Sequence, residues 1–439
     1  MNRRFLLLFI VSLFIFSLSA ALEVQQAKAY DTIYIRADGS VDPAWAPIQH
    51  VGDAYALTGN ITGSLVIERS NIVLDGKGFT IDGLGNGTGV DVTDVNNVTV
   101  SGVNVRACDY GVWFYSTSNS SILNNTVTGC VWMGITVYYT TGCTVSSNNV
   151  TNNTYGVWVP SSSHTTVSNN ALVGSQRYGA CALYIDHQSY DNDFCSNTFR
   201  LNYNDVYLAP YSHNNTLSGN SFQNGIDINE SPDNLFIHNN FRFKSQVSNH
   251  YNYSNTWDNG FEGNFWQDYD GTDSNNDGIG DSPCLIGANN TDYYPLMGMF
   301  HSFDTSLGYN VNVISNSTVE DFEYSKSSGT ITMHVSNMTE TQTFGFCRIC
   351  IPHALMSEPY NVTIDGADPV FWNYTVYDNG TYRWIYFSYH HSTLEIVITP
   401  EFSPFLVLSL FMITTLLAAV TYKRKHITLG KRLNSRRQP

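Results

Sequence analysis

Between about residues 70 and 240 the apolar positions recur with a period near 22. Each unit shows an apolar residue, two others, a fixed position, one more residue and a second apolar residue. The fixed position is Asn125 in ILNNTV, Asn148 in VSSNNV, Asn170 in VSNNAL, Asn197 in FCSNTF, Asn220 in LSGNSF and Asn239 in FIHNNF. Upstream the frame continues with Val103 and Lys77. A second apolar column runs in step: Val112/Phe114, Ile135/Val137, Val157/Val159, Leu183/Ile185, Val206/Leu208 and Ile226/Ile228. Alternation over three to five residues puts such side chains on one face of a strand, so each unit predicts two short strands between turns. The period is too short for a propeller blade and lacks the leucine skeleton of a leucine-rich repeat. It fits one coil of a parallel β-helix, whose coils rise about 4.8 Å and bury their inward columns against one another.

The asparagine column predicts a ladder. An Asn at a tight bend tolerates a left-handed backbone, and its amide can bond both to the backbone and to the Asn one coil away. Cysteines keep the same register. Cys108 and Cys130 each lie five positions after a fixed position, which places them on adjacent coils within disulfide reach. The other six cysteines show no such alignment.

The outward position between each inward pair reads Trp113, Thr136, Trp158, Tyr184, Tyr207, Asp227. Trp113, Trp158, Tyr184 and Tyr207 thus form an aromatic row, with Tyr115 and Tyr138 beside it. Flat rings roughly 5 Å apart offer a platform for sugar rings or for another protein. The competing reading is that loops cover the row, or that aromatics simply suit strands.

From about 302 to 399 the repeat gives way to alternating stretches such as YNVNVI, GTITMHV and RWIYFSY, which predict a small β-sandwich. The ends of the chain suggest its location. Asn2-Arg3-Arg4, an apolar run from Phe5 to Leu18 and Ala27-Lys28-Ala29 read as a signal peptide over 1–29, an uncleaved anchor being the alternative. Residues 404–422 carry no charge and are long enough to cross a bilayer as one helix. The basic tail 423–439 sets that end inside the cell and the body outside. Asn-x-Ser/Thr sequons recur from Asn60 to Asn379 and none follows the apolar segment, which suits a glycoprotein exterior. Pro400-Glu401-Phe402 is similar to the PEF-type C-terminal sorting signals of archaeal surface proteins, whose processing would replace the helix by another anchor.

Composition narrows the partners. Charged residues are only 13% of the chain, against 42% hydrophobic, so neither a disordered tail nor a coiled coil is at hand. Between Tyr30 and Pro400 there are 11 basic and 35 acidic residues, a net charge of −24. Such a body repels phosphate backbones and excludes nucleic acid as a partner.

Beyond the last clear coil the chain reads GNFWQDYDGTDSNNDGIGDSP and then NNTDYYPLM. Gly263-Asn264-Phe265-Trp266, Asp268-Tyr269, Asp277-Gly278-Ile279-Gly280-Asp281 and Tyr294-Pro295-Leu296, with the coils before them, resemble the NosD-like right-handed β-helix proteins. The resemblance covers about Ser70 to Met297. It implies an all-β chain: an N-terminal cap over 30–68, a right-handed parallel β-helix over 69–255 and a cap over 256–301, followed here by the sandwich and the membrane helix. It also brings the family's copper label, although no matched ligand motif accompanies the fold signature. The same coil architecture resembles that of carbohydrate-binding and sugar-hydrolysing proteins.

Three kinds of chemistry are then in question. Asp273-x-Asn275-x-Asp277-Gly278 resembles the first half of a calcium loop, with Asp281 in its ninth position. Cys284 stands where a closing Glu belongs, so Asp268 or Asp270 would have to complete the shell; an ion-free turn is the alternative. Copper would need soft donors, and the candidates are Met297, Met299 and His301, then Cys347, Cys350 and His353, then His390 and His391. Catalysis would need paired acids, from among Asp186, Asp191, Asp193, Asp205 and Asp227, near His187 and Arg200. In the repeat register Asp186, Asp205 and Asp227 fall in different columns and read as solvated turn residues. The sequence therefore favours a membrane-anchored, non-catalytic binder of glycan or cell-surface polymer. A polysaccharide lyase or hydrolase is the alternative, and copper delivery the third reading.

Overall fold

The computed structural model describes residues 31–401 and 412–423. The described chain divides into two compact units: residues 31–272 with 279–296, and residues 273–278 with those from 297 onward.

The first unit is a parallel β-helix with three strands per coil rather than two. One coil runs Tyr110–Tyr115, Ser121–Leu123, Thr126–Thr128, and the next Met133–Tyr138, Thr144–Ser146, Asn149–Thr151. The extra strand was hidden because Asn125 turns a corner between Ile122 and Val127. What reads as a single alternating stretch is two strands of three residues, too short to show a period. Each strand pairs in parallel with its equivalent on the next coil. Val90, Val112, Ile135, Val157, Leu183, Val206 and Ile226 follow one another in register. All are buried, as the apolar pattern predicts. Burying each such side chain contributes roughly 1.5–3 kcal/mol, and no coil could do it without its neighbours.

The asparagine ladder runs at that corner. Asn148 Oδ1 accepts the backbone N–H of Asn125 at 2.9 Å and its Nδ2–H at 3.1 Å, while Asn125 Nδ2 also donates to the Val100 carbonyl. The pattern repeats through Asn170, Asn197, Asn220 and Asn239 to Asn264. The left-handed residue is not the ladder Asn itself. It is the residue before it: Asn124, Ser147, Asn169, Ser196, Gly219 and His238. The ladder Asn is therefore free to send its amide inward. At Lys77 the left-handed residue occupies the column position itself. A second ladder at another corner links Asn192, Asn215, Asn234, Asn255 and Asn290.

The end of the rod explains the Gly-Asn-Phe-Trp signature. Asn264 is the last rung, and its backbone N–H donates to the buried carboxylate of Asp292 at 2.8 Å. Trp266 stacks on Phe241 and Trp257 on Phe236, with centroids 4.2 and 4.3 Å apart. These rings shield the last coil from water.

The second unit is the expected β-sandwich. Five antiparallel strands form one sheet in the order Met299–Asp304, Asn310–Ser315, Phe344–Pro352, Tyr382–His390, Phe371–Asp378. Four more form the other: Ser317–Ser325, Thr330–Asn337, Leu394–Pro400, Tyr360–Ile364. Val313, Ile349 and Phe387 from the first sheet meet Met333, Val362 and Ile396 from the second.

Residues 412–423 are helical and exposed. Among the described residues no helix is long and apolar enough to cross a membrane. Residues 404–411 of the segment expected to do so lie outside the described residues, as do the expected signal peptide and the tail beyond Lys423.

Candidate functional site

The outward row of the long-strand sheet is continuous in register. Asp91 precedes Trp113, and Thr136, Trp158, Tyr184, Tyr207 and Asp227 follow coil by coil. The four predicted rings therefore share one face, as expected. They are half-buried, and they do not lie flat on one another. Trp113 and Trp158 have centroids 6.3 Å apart and tilted by 50°, Trp158 and Tyr184 6.3 Å and 39°, Tyr184 and Tyr207 5.2 Å and 70°. Thr136 is fully buried. The small residue at that rung leaves room for the rings on either side to lean together, with Tyr138 packed edge-on to Trp113. The surface is corrugated and not a flat platform.

At the Tyr207 end the row opens into a cleft of about 280 Å³. Its walls are tyrosines, the row members Tyr184 and Tyr207 with Tyr155, Tyr178 and Tyr203 around them. Asn204, Asp227 and Cys181 supply the remaining polar atoms. The sequence pattern did not show this cleft, because Tyr178 sits in a loop that interrupts the repeat. Ladder neighbours Asn148 and Asn170 are 22 residues apart, but Asn170 and Asn197 are 27 apart. The longer coil carries the segment 174–180, whose Tyr178 is 93% exposed and lies 5.4 Å from Tyr203 between ring centroids.

The carboxylates need correction. Asp186 and Asp205 are buried rather than solvated. Asp186 accepts the indole N–H of Trp158 at 3.1 Å and pairs with His187 Nδ1. Asp205 accepts the backbone N–H groups of Gln223 and Asn224 and the amide of Asn202, which makes it a turn brace. Burial raises its pKa, and those donors lower it again in part. Asp227 lies 2.8 Å from His250 Nε2; burial raises its pKa and the His250 charge opposes the shift. Asp91, at the other end of the row, is likewise raised by burial. Asp191, Asp193 and Arg200 are exposed. Two residues along the strand and two coils separate Asp186 from Asp227, roughly 12 Å between backbones, and each carboxylate is paired with its own histidine.

Cys108 and Cys130 occupy equivalent places three residues beyond the paired Val105 and Val127. Both are buried and present as free thiols. Contact with Cys130, then burial, pushes the Cys108 thiol far above its usual range.

The expected calcium ligands are divided. Asp268, Asp270 and Asp281 belong to the first unit, Asp273, Asn275 and Asp277 to the second. Asp273 spends its two carboxylate oxygens on the backbone N–H groups of Asp277 and Gly278, and Asn275 donates to the Asp277 carboxylate. The buried Arg348 guanidinium donates to the Asp277 carbonyl at 2.7 Å. Asp268 accepts the Lys244 N–H, and Asp281 accepts the Thr272 hydroxyl. Among the described residues no group of three or more His, Cys, Asp or Glu is placed to hold a metal ion.

A parallel β-helix built on asparagine ladders defines the class, and the chain matches, over residues 50–271, the family described as periplasmic copper-binding protein, NosD. The chain belongs to the NosD family. No curated protein matches it. Solved structures similar to it include DFA-IIIase from Arthrobacter chlorophenolicus in complex with DFA-III, at 12% identity and a TM-score of 0.32, covering 48% of this chain and 64% of that one. The enzymatically active domain of tailspike protein 2 of bacteriophage CBA120 is similar at 13% identity and a TM-score of 0.34, over 84% of this chain and 74% of that one. The tailspike protein of Escherichia coli bacteriophage HK620 is similar at 12% and 0.31, over 88% and 89%. These likenesses are too loose to bear on function.

Among the described residues the candidate copper donors His301, Cys347, Cys350, His353, His390 and His391 form no cluster. Cys347 and Cys350 are three apart on one strand and face opposite sides of their sheet. Cys347 is in the core beside the Tyr389 hydroxyl, and His353 is bound to Asp378. His390 and His391 are adjacent, and His391 is held by the Ser317 hydroxyl at 2.9 Å. His301 is desolvated against Phe303, with its pKa pushed down to about 4 by burial.

Proposed function

We propose that this protein is a non-catalytic binder of carbohydrate, and that the ring row with its tyrosine cleft is the binding face. The observation that carries this reading is one continuous row of half-exposed indole and phenol rings ending in a cleft of five tyrosines. Aromatic faces cover the apolar C–H faces of sugar rings, while hydroxyl tips and carboxylates meet sugar hydroxyls. That Asp186 and Asp227 are each paired with a histidine supports binding over hydrolysis. The body would be outside the cell and held at the membrane by the apolar segment 404–422. That placement is supported by the basic tail and by a helical 412–423 whose Ile413, Leu416, Leu417 and Val420 stay exposed.

The test is glycan binding by the whole protein, followed by tryptophan fluorescence or calorimetry. Trp158→Ala should weaken binding several-fold, in line with about 1 kcal/mol for a partly exposed ring, and no substrate should be turned over. Release of reducing or unsaturated ends that stops in Asp186→Asn or Asp227→Asn would replace this reading by the enzyme. Unchanged binding in Trp158→Ala would remove the row from the site.

A further inference from the structure

Resting on that reading, we propose that the cleft is a subsite for one or two sugar units at an end of the glycan, and that it selects uncharged sugars and rejects uronates. Size comes first. At about 280 Å³ the cavity lies just under the range of small-molecule pockets, room for one or two sugar units. The row of rings then carries the units that follow.

Charge comes second. The cleft walls include the carboxylate of Asp227, 2.8 Å from His250 Nε2, and, among the described residues, no lysine or arginine; the one arginine of the lip loop, Arg177, stands beside Tyr178 outside the walls. The buried Asp186, two positions along the strand from Tyr184, accepts the Trp158 indole N–H and pairs with His187 Nδ1. A uronate or sulfate brought here would meet like charge in a partly desolvated wall, where screening by salt is weak. A neutral sugar meets the same groups as acceptors. Asp227 Oδ and the Asn204 amide oxygen can take hydroxyl protons, and a charged acceptor makes the stronger hydrogen bond.

The third observation is the loop. Residues 174–180 enlarge a single coil, turn through left-handed Gly174 and Gly179, and hold Tyr178 93% exposed over the cleft beside Tyr203. A phenol ring so exposed contributes nothing to the core. Bordering the cleft beside Tyr203, it is free to meet an occupant, as the lip that stops the chain end.

The experiment uses the whole protein and three probes: a neutral gluco-oligosaccharide series with N-acetylated counterparts, an oligogalacturonate of matching length, and a chitosan oligomer. Neutral oligomers should bind, and affinity should stop rising once the units along the row are filled. Oligogalacturonate should bind at least tenfold more weakly. Tyr178→Ala should weaken neutral binding several-fold with an unchanged melting temperature. Asp227→Asn should narrow the gap between uronate and neutral sugar. Equal binding of uronate and neutral oligomers by the unaltered protein would overturn the proposal. So would binding of chitosan alone that vanishes at high salt, which would reflect only the acidic body. If Trp158→Ala weakens binding while Tyr178→Ala and Asp227→Asn change nothing, the row binds glycan and the cleft assignment fails. If no probe binds at all, the carbohydrate reading itself falls, and this one with it.

Discussion

Two desolvated ionisable side chains, the buried Asp292 and the half-buried His301, set opposite pH responses. Asp292 ends the first ladder, accepting N–H groups of Asn264, Trp266 and Tyr294. Burial outweighs those donors and holds its pKa up at about 6, against an ordinary 3.8. The folded state therefore holds a proton that the unfolded chain releases between pH 4 and 6, and stability from this group is lost as pH rises through 6. The swing is at most about 3 kcal/mol at 1.36 kcal/mol per pKa unit. In Asp292→Asn that slope should vanish, which urea midpoints at pH 4.5 and 7 would show. A slope that persists unchanged would mean that Asp292 is ionised throughout. At the same scale, Cys108 and Cys130 are one coil apart, a rise of about 4.8 Å that suits a disulfide. Chain folded under oxidising conditions should yield a peptide pair linking these two, and finding Cys108 joined to any other cysteine would contradict the register.

At the scale of elements, the ladder is the part of the sequence most directly readable, and its physical role is larger than a bend preference. Asn197 accepts from the Asn170 backbone and side chain, and donates to Val167 O and to Asn220 Oδ1. Asn197→Ala would leave several of these groups unpaired in a buried corner, each costing about 1–3 kcal/mol. A loss of roughly 3–5 kcal/mol is expected by denaturant unfolding. The preceding Ser196 carries the left-handed backbone instead of a ladder amide, so Ser196→Gly should cost far less. The inward columns and the outward ring row were legible because their period of two survives in six-residue strands such as Tyr155–Pro160. The three-residue strands were not, since Asn125 and its equivalents break the alternation. The burial of Asp186 and Asp205 was illegible for a different reason. Their neighbours, Trp158 and Gln223, come from other coils, and nothing local marks the contact. Tyr178 and the cleft it borders were missed because an insertion reads only as a lapse in the repeat.

At the scale of the molecule, two cores of different construction lie in one chain. The β-helix core is an elongated stack from Ile33 to Trp266; the sandwich core runs from Val311 to Ile398. Each unit closes its own backbone pairing, so each should unfold as a cooperative step of its own, giving two calorimetric transitions. Asp292 and His301 allow them to be told apart. His301 belongs to the sandwich unit and is held down at about 4 by burial, against an ordinary 6.5. Its unfolded form takes a proton that the folded form refuses, so stability from this group is present above pH 6.5 and lost as pH falls through 4. Asp292, in the β-helix unit, works in the other sense. His301→Gln should therefore reduce the loss on acidification in one transition only, and Asp292→Asn should alter the pH slope of the other transition only. Scans at a fixed rate between pH 4.5 and 7 would decide it. A single transition shifted by both substitutions would show that the two units melt as one, and the division into independent cores would fail.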